Sequence, residues 1–410
     1  MKKHLLSLLV ALVATVSSLP MAAQEAYAVF TEANSTLTFY YDNLRSTRPG
    51  TTYDMPTKGA IPGWARIYYT PQKKIKHAVF DVSFADYRPT FTSYWFQLCV
   101  NLQDIKDIRN LNTENVINMK YMFMSCSSLI SIDLTGFNTA NVTDMSGMFA
   151  NCSSLKSLDL TNFNTEKVTD MSGMFRDCSS LASLDLTNFN TEKVTDMSEM
   201  FYNCSSLESL DLTNLYTERV TDMRYMFNYC SSLESLKLTN FNTEKVTDMS
   251  GMFWGCSSLT SLNLTNFNTE KVISMGMMFF YCSSLTSLDL TNFNTKKVTD
   301  MSGMFNNCSS LTTIYCNDDW SVGGKVENHY HMFSYSPNLK GEGAAYDSSK
   351  TGIEMANPTT GYFTAKTNGI DHVKAAGKVG DGKIYDLSGR QVSKNYKGVV
   401  VTNGRKILQR

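Results

Sequence analysis

A cysteine recurs every 26 residues through the middle of the chain. The cysteines that keep this spacing are Cys126, Cys152, Cys178, Cys204, Cys230, Cys256, Cys282 and Cys308. The residues between them also repeat with small changes, as in LKSLDLTNFNTEKVTDMSGMFRDC over residues 155–178. A fixed period of this length is typical of a solenoid, in which each repeat is one structural unit that stacks on the next.

One period contains two hydrophobic patterns. Leucine recurs between polar residues over 155–160, which predicts a short half-buried strand. From Val168 to Cys178 the apolar residues follow at intervals of three and four, which predicts a helix of about two turns. Thr169 and Asp170 stand where that helix would begin, as a cap and a carboxylate near its positive end.

A single repeat buries too little apolar surface to offset the entropy lost when 26 residues become ordered. Stacking solves this, because each strand pairs with the next in a parallel ladder about 4.8 Å away. The sequence therefore predicts an α/β solenoid of about ten 26-residue strand-helix repeats over residues 91–340. Cys99 joins the cysteine column at its start, and Ser336 replaces cysteine at its end.

The two ends differ from the repeats. Residues 1–23 combine Lys2 and Lys3 with the apolar run Leu5–Val16, which is typical of a cleaved signal peptide. That run is too short to cross a bilayer, and no later transmembrane segment is expected. Three further regions are predicted on composition: a β-rich N-terminal cap at 24–90, a C-terminal cap and linker at 341–366, and a small β tail at 367–410.

The composition limits the classes of function. A formal net charge of −1 gives no electrostatic bias toward nucleic acid or an anionic membrane, so neither is an expected partner. None of the common motifs for hydrolases, metalloproteases or nucleotide-binding proteins occurs, and only five histidines are present. We therefore expect a secreted or outer-surface monomer that is not an enzyme and needs no cofactor.

The buried-type columns have structural explanations. The cysteines and methionines fall at core spacing, so a ladder of free buried thiols and a methionine-filled core are predicted. A disulfide framework is the alternative in an exported protein, but each cysteine has two equivalent neighbours and no unique pairing is implied. No metal site is predicted, because no paired cysteines or clustered histidines accompany the column.

The polar residues between the leucines should point outward from the strands. One such column contains Asp133, Asp159, Asp185, Asp211, Lys237, Asn263, Asp289 and Tyr315. Carboxylates repeated at strand spacing repel one another, so the column is either a face for cations or polar ligands or a surface where water screens the charges. We take these eight residues as the candidate ligand-binding residues, with Lys237 and Asn263 relieving the acidic run.

The repeated phrase L-x-S-L-D-L-T-N-F-N-T-x-x-V-T-D-M-S-x-M-F-x-x-C-S-S resembles the BspA family of leucine-rich-repeat surface proteins of Bacteroidetes and their relatives. The ending KIYDLSGRQV with NGRKILQR resembles the C-terminal sorting tail of type IX secretion cargo. Together these resemblances imply export, display at the cell surface, and an adhesin-like role toward host matrix proteins or other cells.

The interpretation from sequence is a secreted or cell-surface repeat protein that binds extracellular proteins or glycoconjugates of a host or of other bacteria through its polar face. A structural envelope spacer without a specific ligand is the main alternative, and a calcium-stabilised coil is a third. Among irregular positions, Tyr216, Tyr225, Lys237, Trp254 and Tyr315 are the first candidates for specificity.

Overall fold

The structure is a computed structural model. It describes residues 23–66, 71–322, 325–366, 384–386, 391–393, 396, 398–402 and 405–409. The predicted signal peptide at 1–23 lies outside the described residues except for its last position, and much of the predicted tail at 367–410 lies outside them as well. Two compact units are present, one ending at Thr364 and the other beginning at Ala365.

The first unit opens with a five-stranded sheet. Its strands are β1 (Glu25–Thr31), β2 (Thr36–Asp42), β3 (Thr51–Asp54), β4 (His77–Phe80) and β5 (Asp104–Lys106), in the order β3-β1-β2-β4-β5. β1 is antiparallel to β2 and β3, whereas β2, β4 and β5 run parallel. A short helix, α1 (Pro71–Lys74), precedes β4. The switch to parallel pairing leads from this sheet into the repeats.

Aromatic side chains fill the interior behind this sheet. Phe39 stacks on Phe80 at 4.5 Å and on Trp95 at 5.5 Å between ring centroids. The Trp64 indole N–H donates a hydrogen bond of 2.6 Å to the carbonyl of Trp95. All four residues are buried, so this aromatic core covers the open end of the repeat stack.

In the repeats, the leucine alternation places side chains as predicted. Leu155, Leu158 and Leu160 are buried, while Asp159 between them is exposed. Only part of this column has regular strand pairing among the described residues. The strands there are β6 (Ser209–Asp211), β7 (Ser235–Lys237), β8 (Ser287–Asp289) and β9 (Thr313–Tyr315), with β6 parallel to β7 and β8 parallel to β9.

A second ladder links every repeat coil to the next. Single parallel bridges join Phe91, Asn118, Asp144, Asp170, Asp196, Asp222, Asp248, Ser274, Asp300 and Asn328 in that order. Each bridge advances the chain by one coil. The buried leucines and these parallel coils together make the first unit leucine-rich-repeat-like.

The predicted helix over Val168–Cys178 is wrong, because this segment is a series of turns. Its N–H groups alternate between two kinds of partner. Those of Met174 and Arg176 donate to carbonyls three residues back, at 3.2 and 3.0 Å, and those of Gly173 and Phe175 donate to the next coil, at 2.8 and 3.0 Å. An α-helix would direct its N–H groups to its own carbonyls and leave none for the neighbouring coil.

The turns still bury the apolar residues that suggested a helix. Met171, Met174, Phe175 and Cys178 are fully buried, so the prediction of a methionine-filled core is confirmed. The phenylalanine rings form one continuous stack, with centroids 5.4 to 6.0 Å apart from Phe96 to Phe333. This spacing lies within the range of favourable aromatic pairs.

The cysteine column lies beside the phenylalanine stack. All ten cysteines of the chain are free and buried, which confirms the predicted thiol ladder. Each thiol in the regular column donates to the carbonyl of a phenylalanine, as Cys204 does to Phe175 at 3.1 Å. Burial raises the pKa of Cys152 to about 12, so the thiol stays protonated and unreactive at neutral pH. Ser336 makes the same bond to Phe305, at 2.7 Å.

Buried threonines fasten neighbouring coils together. The Thr165 hydroxyl donates to the Asn190 carbonyl at 2.9 Å and accepts from the Asn190 N–H at 2.8 Å. The same reciprocal pair recurs with Thr113, Thr139, Thr217, Thr243 and Thr269. One hydroxyl thus satisfies both backbone groups of a residue in the next coil.

The far end of the stack is closed by the chain itself. Strand β10 (Phe363–Thr364) pairs in parallel with β9, placing Phe363 opposite Ile314. Tyr362 and Phe363 are buried and pack against Phe333, the last ring of the phenylalanine stack. The predicted cap segment therefore supplies one more rung to the strand ladder.

The second unit contains four strands that form one antiparallel sheet. They are β11 (Ile384–Asp386), β12 (Gln391–Val392), β13 (Gly398–Thr402) and β14 (Arg405–Gln409), in the order β12-β11-β13-β14. The two groups of strands expected from KIYDLSGRQV and GVVVTNGRKILQR are both present.

We expect Thr165→Val to lower the free energy of unfolding by about 2 kcal/mol, because it leaves the N–H and carbonyl of Asn190 without their partner in a buried position. Denaturant unfolding followed by circular dichroism measures the change. Thr161→Val, at an exposed position of the same coil, is the matched control and should stay within about 0.5 kcal/mol of wild type. Equal effects from both variants would contradict the proposed fastening role.

Candidate ligand-binding face

The predicted site residues lie one per coil, side by side along the strand ladder. Asp133, Asp159, Asp185, Asp211, Lys237 and Asn263 are exposed, whereas Asp289 and Tyr315 are half-buried. Register pairs Asp211 with Lys237 and Asp289 with Tyr315. The structure therefore brings these residues together as a column, which we call the strand face, and not as a convergent cluster.

Each aspartate of the strand face also closes a turn. The Thr161 N–H and hydroxyl donate to one carboxylate oxygen of Asp159, at 3.0 and 2.6 Å. The Thr161 hydroxyl is the main reason that the pKa of Asp159 is lowered. The carboxylates are thus held in the charged form and in a fixed orientation where the chain leaves the strand.

Two cations offset the repulsion within the acidic run. Arg109 from the N-terminal region bonds to Asp133 at 3.0 Å, and Lys237 bonds to Asp211 at 2.8 Å. The hydrogen bond from Lys237 is the largest of the influences that lower the pKa of Asp211 to about 2. Asp159 and Asp185 lie between these pairs, so the uncompensated negative charge is concentrated on two coils.

A shallow depression of about 130 Å³ opens where the acidic run is interrupted. It is lined by Leu236, Lys237, Leu238, Thr239, Asn263, Thr265 and Asn266. Asn263 is oriented by the N–H and hydroxyl of Thr265, at 3.1 and 2.8 Å. The depression therefore combines one cation, side-chain amides and hydroxyls around a small volume.

A second carboxylate column runs along the single-bridge ladder, and the sequence did not predict it as a column. Asp170 does not cap a helix as expected. Its carboxylate instead accepts from the N–H and hydroxyl of Ser172, at 2.9 and 2.6 Å, and so begins the series of turns. These aspartates are half-buried. Burial raises the pKa of Asp222, and its neighbour Arg224 lies 3.4 Å from that carboxylate. The column has a structural role in shaping the coils.

The described residues offer little for other kinds of site. They contain no group of three or more histidine, cysteine or acidic side chains placed to hold a metal ion. No helix within the described ranges is long and apolar enough to cross a membrane. The arrangement is that of an extended polar surface.

Sequence reasoning missed some exposed groups. Arg109 was not matched to Asp133, because it lies before the regular repeats begin. Tyr229, Phe280 and Tyr281 also escaped notice, although each stands where most other coils carry small or polar residues. Comparing the coils column by column would have found all three aromatic residues.

The fold and the strand face together define a leucine-rich-repeat-like protein with a repeated polar surface. The chain belongs to the family described as Mycoplasma protein of unknown function, DUF285. Its model matches residues 90–185, 149–236, 175–261 and 231–346, which together cover more than half of the chain. A search of curated proteins finds no match.

Solved structures of bacterial repeat proteins are similar over much of the chain. A leucine-rich repeat protein from Eubacterium ventriosum ATCC 27560 is 15% identical, with 83% of this chain and 91% of that chain covered and a TM-score of 0.37. A leucine rich cell surface protein from Faecalibacterium prausnitzii A2-165 is 16% identical, with 75% and 99% covered and a TM-score of 0.29. Likeness at this level supports no statement about function.

Replacing Lys237 by glutamine should raise the pKa of Asp211 from about 2 toward its ordinary value, because the main hydrogen-bond donor is removed. A carbon-13 titration of labelled aspartate carboxyls measures the shift. The pKa of Asp159, which Thr161 lowers, should not change and serves as the internal control. Because a lowered carboxyl pKa stabilises the folded state above it, wild type should lose this contribution only as the pH falls toward 2. An unchanged pKa of Asp211 would show that the ion pair does not form in solution.

Proposed function

We propose that the chain is an exported, surface-associated binding protein without catalytic activity, whose ligand is an extracellular protein that lies along the strand face. The observation that carries this proposal is the exposed column Asp133–Tyr315, which presents one polar side chain per coil in parallel register. Contacts that repeat along a ladder add together when the ligand is itself extended.

The depression at Lys237 and Asn263 supports a chain-like ligand. Its volume of about 130 Å³ is well below the several hundred Å³ that enclose a small organic ligand. It is large enough for one side chain of a longer partner. The Lys237 ammonium and the amides of Asn263 and Asn266 favour a carboxylate or carbonyl group at this point.

Export and surface display are part of the same proposal. They rest on the signal-like residues 1–23, on the resemblance to the BspA family, and on the resemblance of the ending to a type IX sorting tail. The C-terminal strands form a small unit separate from the repeats, as a sorting tail requires.

A spacer that only lifts another domain from the surface is the second candidate. The regular outer positions of the coils, such as Glu166 and Lys167, are exposed and carry opposite charges, which suits a soluble rod without a ligand. The irregular strand-face positions Lys237, Asn263 and Tyr315 favour the binding protein, because a spacer has no need to vary that column.

Surface plasmon resonance of residues 24–410 against immobilised host matrix proteins, with and without calcium, tests the proposal. Lys237→Glu should weaken binding about tenfold, because it places a fourth acidic group beside Asp211 and removes the cation from the depression. Lys167→Glu makes the same charge change at an exposed position away from the strand face and should leave binding near wild type.

The outcomes separate the candidates. Saturable binding that Lys237→Glu weakens and Lys167→Glu preserves supports recognition by the strand face. Absence of binding to every protein, or equal loss in both variants, would favour the spacer. Loss of binding and of thermal stability on removal of calcium would favour the calcium-stabilised coil.

A further inference from the structure

A group of aromatic side chains lies on the turn segments of three consecutive coils. We call Tyr225, Tyr229, Trp254, Phe280 and Tyr281 the aromatic strip. They belong to the part of each coil that carries the series of turns, and so to a different part of the coil from the strand face. This surface is therefore independent of the one proposed above.

The rings of the aromatic strip form a connected path. Trp254 lies 5.6 Å from Tyr229, 6.5 Å from Tyr225 and 5.2 Å from Phe280 between ring centroids, and Phe280 lies 4.9 Å from Tyr281. These distances are typical of interacting aromatic rings. The path crosses the coils, so one ligand could contact several rings along its length.

Glycines in the middle coil hold the tyrosines in place. Gly251 and Gly255 both have positive φ angles, of 57° and 75°. A Cβ atom at Gly255 would lie 2.9 Å from the Tyr229 ring, and one at Gly251 would overlap the Tyr225 ring. The rings therefore lie against bare backbone, which fixes them before any ligand arrives and reduces the entropy lost on binding.

The aromatic strip is exposed to a degree that folding does not require. Tyr229 and Tyr281 are 43% and 48% exposed. The corresponding positions of other coils carry Asn151, Asp177 and Asn203, so the repeat folds without an aromatic residue there. A contiguous exposed apolar patch on a soluble protein typically marks an interaction site.

The surroundings of the strip favour an uncharged ligand. The segments 225–229, 251–255 and 277–281 contain no aspartate, glutamate, lysine, arginine or histidine. The nearest charged side chain in the sequence, Arg224, lies 3.4 Å from the carboxylate of Asp222. Ionic recognition at the strip itself is thus absent, and stacking with neutral hydrogen bonds must supply the specificity.

Two polar atoms at the centre of the strip have no hydrogen-bond partner in the described part of the chain. They are Oδ1 of Asn228, a residue that is 1% exposed, and Nε1 of Trp254. Asn228 and Trp254 occupy the same position in adjacent coils. One atom accepts and the other donates, so a hydroxyl group, which does both, is complementary to the pair once the overlying rings shift to admit it.

We propose that the aromatic strip is a binding site for a neutral polysaccharide chain. The apolar faces of successive sugar rings would stack on Tyr229, Trp254 and Tyr281, as flat ligands do on exposed aromatic side chains. Sugar hydroxyls would supply the groups that Asn228 and Trp254 lack. This site goes beyond the protein ligand of the strand face and does not depend on it.

Tryptophan fluorescence provides a direct test. Of the four tryptophans, Trp64, Trp95 and Trp320 are buried and Trp254 is half-buried at the strip, so a surface ligand should act mainly on Trp254. Residues 24–410 are titrated with soluble β-glucan, α-mannan and galactomannan, and with the anionic polysaccharide heparin. At least one neutral polysaccharide should shift the emission saturably, and heparin should not.

Variants connect the signal to the strip. The double variant Tyr229→Ala, Tyr281→Ala should bind about tenfold more weakly, because it removes two exposed stacking surfaces without opening the core. Tyr216→Ala, at a 45% exposed tyrosine outside the strip, is the matched control and should bind as wild type. Native affinity electrophoresis in gels containing each polysaccharide gives an independent measurement.

Three results would overturn the proposal. One is the absence of an emission or mobility shift with every neutral polysaccharide. Another is binding that the double variant leaves unchanged. The third is a protein ligand whose binding the double variant abolishes while no polysaccharide binds, which would make the strip a protein interface. The charge-reversal variant Lys237→Glu should leave polysaccharide binding unchanged, so the strip and the strand face can fail separately.

Discussion

The structure depends on how backbone N–H groups are divided in the turn segments. Alternate groups bond within the coil and to the next coil, as those of Met174 and Gly173 do. This division satisfies the buried backbone and ties neighbouring coils together at the same time. The phenylalanine stack, the thiol ladder and the threonine pairs all require coils held in one register, and this bonding supplies it.

The sequence predicts the repeat, its inward leucines and the exposure of the strand face, because a period of 26 and an alternation of two leave little freedom. It does not predict the turns. Apolar residues spaced by three and four suit either a helix or successive turns, and the positive φ angles at Gly173 and Asp177 decide between them. Glycine, asparagine or aspartate at these positions in many coils was the available signal. The ion pair of Arg109 with Asp133 depends on where an irregular segment meets the first coil, which local patterns cannot supply.

Inward and outward positions in these coils have different freedom to vary. Inward positions contact their own copies above and below, so a change in one affects two neighbours, and residues such as Val168 and Met171 recur with little change. Outward positions meet mostly solvent. Lys237 on the strand face and Trp254 on the aromatic strip are departures of this outward kind, which is why both proposed sites lie in coils whose core is ordinary.

The closure of the ladder by β10 has a consequence for how such a chain can change length. Because Phe363 and Thr364 occupy the edge of β9, no unpaired strand is left there to recruit a second molecule. The two ends are built once, from segments unlike the repeats, and every coil between them meets its neighbours through the same bonds. Whole units of 26 residues can therefore be gained or lost from the middle without rebuilding either end, so the size of the exposed surface can vary while its boundaries stay sealed.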